Sequence, residues 1–157
     1  MEMAGRIDAR LKELEIELPV PASPAGTYVP YVVTGNLVFI SGQGPMGPTG
    51  ISHQGKLGRD HDVEAGKAAA RLTMLNVLAQ LKAACGGNLD RVKRAVKILG
   101  FVNATAEFDQ QPAVINGASD LLVEIFGDAG RHARSAVSAP SLPFQISVEI
   151  EAVFEIA

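Results

Sequence analysis

Cysteine and aromatic residues are scarce in this chain of 157 residues. The single cysteine, Cys85, excludes a disulfide within the chain and a cysteine-rich metal site. Tryptophan is absent and aromatic residues make up only 5% of the sequence, so the core must be built from aliphatic side chains. The hydrophobic fraction of 47% is large enough for such a core. We expect Cys85 to be a small core residue at a helix end rather than a nucleophile.

The sequence also lacks long apolar runs and an excess of positive charge. No segment approaches the roughly 20 apolar residues that span a bilayer, and the N-terminus lacks the apolar stretch of a signal peptide. The net charge of −3 provides no general attraction to nucleic acids or to anionic membranes. These features predict a soluble, cytoplasmic protein with no membrane partner and no nucleic-acid partner.

Metal-binding and nucleotide-binding motifs are missing as well. The glycine-rich stretch "GQGPMG" (42–47) has neither the Rossmann spacing nor the lysine of a P-loop. His53 and His61 lie eight residues apart in a glycine-rich loop, which is a weak metal signal. We expect both to be ordinary loop residues. These residues therefore predict no metal ion and no nucleotide-binding site.

The pattern of apolar residues predicts an α+β fold. We expect one domain over residues 1–157, with an N-terminal helical extension in residues 1–20 and two main helices on one face of a mixed β-sheet. The predicted elements are a helix over 4–15, a proline-rich connector over 19–26, a hairpin over 28–42, a long loop over 42–60, helices over 63–85 and 112–126, and strands over 92–103, 134–139 and 146–156.

Two predicted elements carry polar residues whose position matters. The helix over 63–85 has two apolar stripes with Thr73, Asn76 and Gln80 between them, which predicts contacts with two neighbouring elements. The last strand alternates apolar and polar residues, so one of its faces carries three glutamates, Glu149 among them. We expect this face to meet either water or another subunit.

Arg134 and Glu149 are the residues best suited to chemistry on a small acid. Arg134 lies where a loop passes into a strand, and a guanidinium binds a carboxylate through two parallel hydrogen bonds. Glu149 is a strand-borne carboxylate that could act as a general base toward water. Each has an ordinary alternative, since Arg134 could be a surface or salt-bridged residue and Glu149 could lie on a solvated face.

Three segments in this order resemble the signatures of the RidA family, also called YjgF/YER057c/UK114. They are "GNLVFISGQGP" (35–45), "ARSAV" (133–137) and "SVEIEAVF" (147–154), and "VINGASDLLVEIFG" (114–127) fits the intervening helix. The resemblance covers residues 27–156. It implies a chorismate-mutase-like fold of the bacillus type and a homotrimer, with a central barrel of three sheets and sites in clefts between subunits.

The resemblance also implies an activity, namely the hydrolysis of reactive 2-imino acids or enamines to 2-keto acids and ammonia without a cofactor. It assigns the substrate carboxylate to Arg134 and the positioning of water to Glu149, with help from Ser41. The remaining residues that it implies at the substrate site are Tyr28, Gly42, Gln43, Asn116 and Ala136.

Two departures from the family pattern keep alternatives open. Ala136 stands where typical deaminase members have a cysteine, and His132 stands where better-known members have proline. A non-catalytic protein that binds keto acids or other small carboxylates is the main alternative. An endoribonuclease that inhibits translation has less support, because the acidic balance and few aromatic residues suit RNA poorly. The N-terminal helix and the loop over 46–62 are additions relative to compact members of the family, and they could cover the cleft or the rim of the trimer.

Overall fold

The computed structural model describes residues 5–157. The elements in chain order are α1 (Arg6–Glu13), β1 (Tyr31–Thr34), β2 (Leu37–Gln43), β3 (Met46–Gly47), β4 (Gly50–Ile51), α2 (Val63–Ala84), β5 (Val92–Asn103), α3 (Gln111–Phe126), β6 (Ala133–Ala139) and β7 (Val148–Ile156), with short 3₁₀ turns at Leu89–Arg91, Gly127–Gly130 and Pro143–Gln145. The first residue of the helix predicted over 4–15 lies outside the described residues.

Five strands form the main sheet in the order β1-β2-β7-β5-β6. All neighbours are antiparallel except β5 and β6, which run parallel and are joined through α3. β7 therefore lies in the middle of the sheet and β6 forms one edge. This mixed sheet confirms the predicted fold class.

Both long helices pack on the same face of the sheet. The even-numbered residues of β7 are buried and face the helices, whereas the odd-numbered residues lie on the opposite face. The crossing of α2 and α3 is tight, because a Cβ atom at Gly117 would lie 2.1 Å from the carbonyl oxygen of Lys67. Glycine allows the two backbones to approach each other at this point.

The ends of α2 agree with the sequence prediction. The Asp62 side chain accepts a hydrogen bond from the Ala65 amide and caps the first turn. Gly86 follows the helix with a φ of +66°, a left-handed conformation that glycine adopts without strain. Cys85 is buried in the core, as predicted.

The N-terminal helix α1 contributes to the core of the chain. Ile7 and Leu11 are buried, and α1 packs against α3 and the 3₁₀ turn at Leu89–Arg91. Asp90 accepts hydrogen bonds from the amides of Arg6 (2.9 Å) and Ile7 (2.8 Å). These amides begin the helix and have no partner within it, so a distant carboxylate supplies the cap.

Two predicted boundaries were wrong. The segment predicted as a long loop over 42–60 contains the small hairpin β3–β4, in which Met46 pairs with Ile51. The last strand begins at Val148 rather than at residue 146, because Ile146 instead forms an isolated bridge with Gln54. Short pairings of this kind leave little periodicity in a sequence, so apolar alternation does not reveal them.

Candidate active site

The residues predicted to act on a substrate fall into two groups at different places on the sheet. Arg134, Ala136 and Asn116 lie on the helix side, at the edge formed by β6. A cavity at the C-terminal end of β2 and the N-terminal end of β7 is lined by Tyr28, Gly42, Gln43 and Glu149. The structure therefore brings together the members of each group but not the two groups.

Arg134 is half-buried, and its guanidinium is held by α3. Its Nη1 atom donates to Asn116 Oδ1 at 2.8 Å and to Ser119 Oγ at 3.1 Å. Among residues 5–157, this side chain forms hydrogen bonds through Nη1 only, and no ion pair includes it. Its Nε and Nη2 atoms can thus bind a carboxylate side-on. Within the described residues, Arg134 is thus not salt-bridged.

His132 supports Arg134 through Ser119. His132 Nδ1 donates to the Gly130 carbonyl oxygen at 2.7 Å, which leaves Nε2 as the acceptor for the Ser119 hydroxyl at 2.9 Å. Burial lowers the pKa of His132, and the positive charge of Arg134 lowers it further. The neutral imidazole can therefore orient the Ser119 hydroxyl so that its oxygen accepts from Arg134. Sequence reasoning did not find Ser119, although it lies one helical turn after Asn116 on the same helix face.

Ala136 follows Arg134 by two residues and shares its face of β6. It is partly buried and packs against the core. Asn116 is exposed on α3, and its amide oxygen accepts from Arg134. Asn116 thus orients the guanidinium.

Glu149 lies on the opposite face, and Gly42 makes room for its carboxylate. A Cβ atom at Gly42 would lie 3.0 Å from Glu149 Cδ. Gly42 lies within an irregularity in the pairing of β2 with β7, between the pairs Ile40–Ala152 and Gln43–Ile150. Burial raises the pKa of Glu149, and repulsion from Glu151 raises it further. A carboxylate with a raised pKa is a stronger base toward water than an ordinary glutamate.

The cavity beside Glu149 has a volume of about 530 Å³, which is within the usual size of small-molecule sites. Gly42 and Gln43 at the end of β2 line it, together with Gly44, which follows the strand. Its walls come from residues 22–30, from the β3–β4 hairpin and from residues 143–146. The proline-rich connector and part of the glycine-rich segment therefore border the cavity.

Tyr28 and Gln43 line this cavity, whereas Ser41 does not. The side chains of all three residues form hydrogen bonds with partners other than Glu149. The Tyr28 hydroxyl accepts from the Ala25 amide at 3.2 Å. Ser41 Oγ donates to the Val29 carbonyl oxygen at 2.7 Å and so fixes the connector to β2. Gln43 is buried, and its Nε2 atom donates to the Ser41 carbonyl oxygen at 3.1 Å.

Two polar residues of α2 hold the segments that border the cavity. Asn76 Nδ2 donates to the carbonyl oxygens of Gly44 (3.3 Å) and Met46 (3.0 Å). Gln80 Nε2 donates to the carbonyl oxygen of Ala22 at 2.8 Å. Both side chains are buried. The sequence shows both residues between the two apolar stripes of the helix. Because a buried amide is almost always hydrogen-bonded, this position indicates a specific partner for each side chain.

One chain cannot bring Arg134 and Glu149 to the same small substrate. The two residues lie on β6 and β7, which are separated by β5, so the strand spacing alone puts their backbones about 10 Å apart. Arg134 pairs with Ile98, a buried residue of the helix side, whereas Glu149 pairs with Phe101 on the other side. A site that uses both side chains must therefore combine two chains.

Within residues 5–157, no cluster of three or more histidine, cysteine, aspartate or glutamate side chains is arranged to hold a metal ion. His53 and His61 lie near each other, with ring centroids 6.1 Å apart, and neither lines the cavity described above. The helices of the described part are also too short or too polar to cross a membrane.

Comparison with known proteins identifies the family. Residues 8–155 match the family model described as "YjgF/chorismate mutase-like, putative endoribonuclease". Protein TCP17 of Trypanosoma cruzi is 47% identical over 154 residues, which cover 98% of this chain and 96% of the relative.

Two crystal structures illustrate the range of similarity. Atu1372 of Agrobacterium tumefaciens, a protein described as having unknown function, is 49% identical with a TM-score of 0.90, and the match covers 96% of this chain and 92% of the other. Escherichia coli TdcF with bound serine is 28% identical with a TM-score of 0.62, over 88% of this chain and 94% of the other. The chain belongs to the YjgF/RidA family, as its sequence motifs predicted.

Proposed function

We propose that the protein hydrolyses reactive 2-imino acids, and their enamine tautomers, to 2-keto acids and ammonia in a cleft between subunits of a homotrimer. The observation that carries this proposal is that Arg134 and Glu149, each suited to one part of the reaction, lie on opposite faces of the sheet. Arg134 has a guanidinium oriented by Asn116 and Ser119, and Glu149 has a carboxylate of raised pKa beside a cavity. Juxtaposing two chains would place one group opposite the other.

In this mechanism, Arg134 binds the carboxylate of the substrate through Nε and Nη2. The carboxylate of Glu149 removes a proton from a water molecule as the water oxygen attacks the carbon of the protonated imine. The C–O bond forms while the C=N π electrons move to nitrogen, which gives an amino alcohol. Glu149 then returns the proton to the amino group. As the C–N bond breaks and ammonia leaves with the bonding electrons, the Glu149 carboxylate takes the hydroxyl proton and the C=O bond forms. The ammonia takes up this proton, so that the products are a 2-keto acid and ammonium and Glu149 is again a carboxylate.

The partner copy is proposed to pack on the sheet face that carries no helix. That face exposes apolar side chains, including Val32, Phe39 and Val137, whose exposed fractions are 51%, 43% and 43%. Soluble proteins rarely leave such groups together in water. The homotrimer is the assembly that the family resemblance implies.

A purified sample tests the reaction with imines generated in situ by an amino acid oxidase. We expect faster release of ammonia with the wild-type protein than without it. Arg134→Ala should lower kcat/KM about 100-fold, because two hydrogen bonds to a charged group are lost. Arg131→Ala is the matched control, since Arg131 is an exposed neighbour paired with Asp128, and it should leave turnover unchanged. A rate of ammonia release with the wild-type protein that equals the uncatalysed rate would contradict the proposal.

A binding protein for small carboxylates is the second candidate. Two observations favour it, namely Ala136 in place of the family's cysteine and the serine bound to the TdcF relative. Calorimetry with 2-keto acids separates the two functions. Saturable binding that Arg134→Ala removes, without acceleration of imine hydrolysis, would support the binding protein over the enzyme.

A further inference from the structure

The cavity beside Glu149 is larger than the reacting atoms of an imino acid require. Apart from the backbone of β2 and the Glu149 carboxylate, its lining is mostly apolar. The side chains that give it this character are Ala22, Pro24, Met46, Ile51, Pro143 and Phe144. An apolar wall of this extent has no role in holding the carboxylate or the water.

Each wall of the cavity is fixed by a side-chain amide. Gln80 donates to the carbonyl oxygen of Ala22, and Asn76 donates to that of Met46. Gln54 Nε2 donates to the carbonyl oxygen of Phe144 at 2.7 Å. Three separate segments are thus held in place before any ligand binds, which reduces the entropy that binding would cost.

Building on the proposed function, we propose that this cavity is a side-chain pocket that selects imino acids and keto acids with bulky apolar side chains. If Arg134 of one chain holds the carboxylate and Glu149 of another faces the reacting carbon, the cavity that Glu149 lines is the space available to the third substituent of that carbon. When a branched aliphatic or aromatic group enters the cavity, apolar surface of the ligand and apolar surface of the cavity wall are both removed from water. A methyl group leaves most of the cavity hydrated, and a charged group would lose its hydration against apolar walls.

Rates with a series of substrates test this selection. Imines generated from alanine, leucine and phenylalanine by an amino acid oxidase are compared at equal concentration. We expect kcat/KM for the leucine and phenylalanine imines to exceed that for the alanine imine at least tenfold, the usual minimum for a filled apolar pocket. Equal values for the three imines would overturn the inference about the pocket and leave the proposed function standing.

Two variants change the pocket in opposite ways. Phe144→Asn removes an aromatic wall, and asparagine tolerates the φ of +58° at this position. It should lower the ratio of the leucine rate to the alanine rate toward one. Ala22→Phe fills the cavity and should lower the phenylalanine rate more than the alanine rate. Val20→Asn is the matched control, because Val20 is 87% exposed and does not line the cavity. Its rate ratios should equal those of the wild type.

Binding measurements separate a wrong pocket from a wrong reaction. If no imine is hydrolysed faster than in buffer, the proposed reaction is wrong. The pocket is then tested by calorimetry, which compares the binding of pyruvate with that of 4-methyl-2-oxopentanoate. Tighter binding of the branched keto acid, reduced by Phe144→Asn, would still support the pocket. Equal affinity for both, or no binding of either, would overturn it.

Discussion

At the scale of single residues, the pKa of Glu149 predicts the pH dependence of the reaction. Burial, followed by repulsion from Glu151, raises this pKa. Because the base must be deprotonated, kcat/KM should fall as the pH drops through the raised value, at a higher pH than for an ordinary glutamate.

Glu151→Gln removes one cause of the shift and should move the acidic limb of the pH profile to lower pH. Glu155→Gln serves as the control on the same strand and should leave the limb in place. A profile that is identical in Glu149→Gln and the wild type would show that Glu149 is not the base.

Ser119 and His132 should act on ligand affinity as a unit. Ser119→Ala removes one of the two acceptors that hold Arg134 Nη1, and we expect Kd for a 2-keto acid to rise about tenfold, since hydrogen bonds to charged groups are worth about 1.5 kcal/mol. His132→Ala should raise Kd about threefold when Ser119 is present. In the Ser119→Ala background, the same substitution should leave Kd unchanged. Calorimetry on this double-mutant cycle tests the coupling. Additive effects would mean that His132 does not act through Ser119.

At the scale of the elements, α1 should depend on Asp90. Asp90→Ala leaves two amides of the first turn without an acceptor, and the expected loss is about 1 kcal/mol in the free energy of unfolding, as for other capping side chains. Urea denaturation measures it, with exposed Glu107→Ala as the control.

The pH dependence of this loss has a definite sign. Hydrogen bonds from the amides of Ile7 and Arg6 lower the pKa of Asp90. Its carboxylate therefore stabilises the fold above the pKa of the unfolded chain, and the contribution disappears as the pH falls through the lowered value. The difference between the wild type and Asp90→Ala should shrink in acid. A difference that persists there would contradict the capping role.

At the scale of the whole molecule, the sheet face opposite the helices should control assembly. Phe39→Glu introduces a charge among Val32 and Val153, its cross-strand neighbours. We expect the mass in solution, measured by light scattering, to fall from three chains to one, and imine turnover to fall with it. Val20→Glu, on the exposed connector, should remain trimeric. A folded Phe39→Glu protein that keeps the mass of the wild type would exclude this face as the interface.

The sequence by itself determined the long elements and the residues worth testing. Strand β5 and helix α2 were predicted almost to the residue, because periodicity and capping act locally and extend over many positions. The motifs around Ser41, Arg134 and Glu149 identified the family. The hairpin at Met46–Ile51 was missed because two paired residues on each side leave too short a pattern.

Only the tertiary structure decided which of those residues meet. Arg134 and Glu149 lie on opposite faces because Arg134 pairs with Ile98 on the helix side of β5, whereas Glu149 pairs with Phe101 on the other side. The strand order β7-β5-β6 also puts β5 between them. This order depends on contacts between distant segments. The same holds for the support that Arg134 receives from Ser119 and for the carbonyl groups held by Asn76 and Gln80. Residue types and local spacing specify helices and strands, whereas the partners of a buried polar group exist only once the chain has folded.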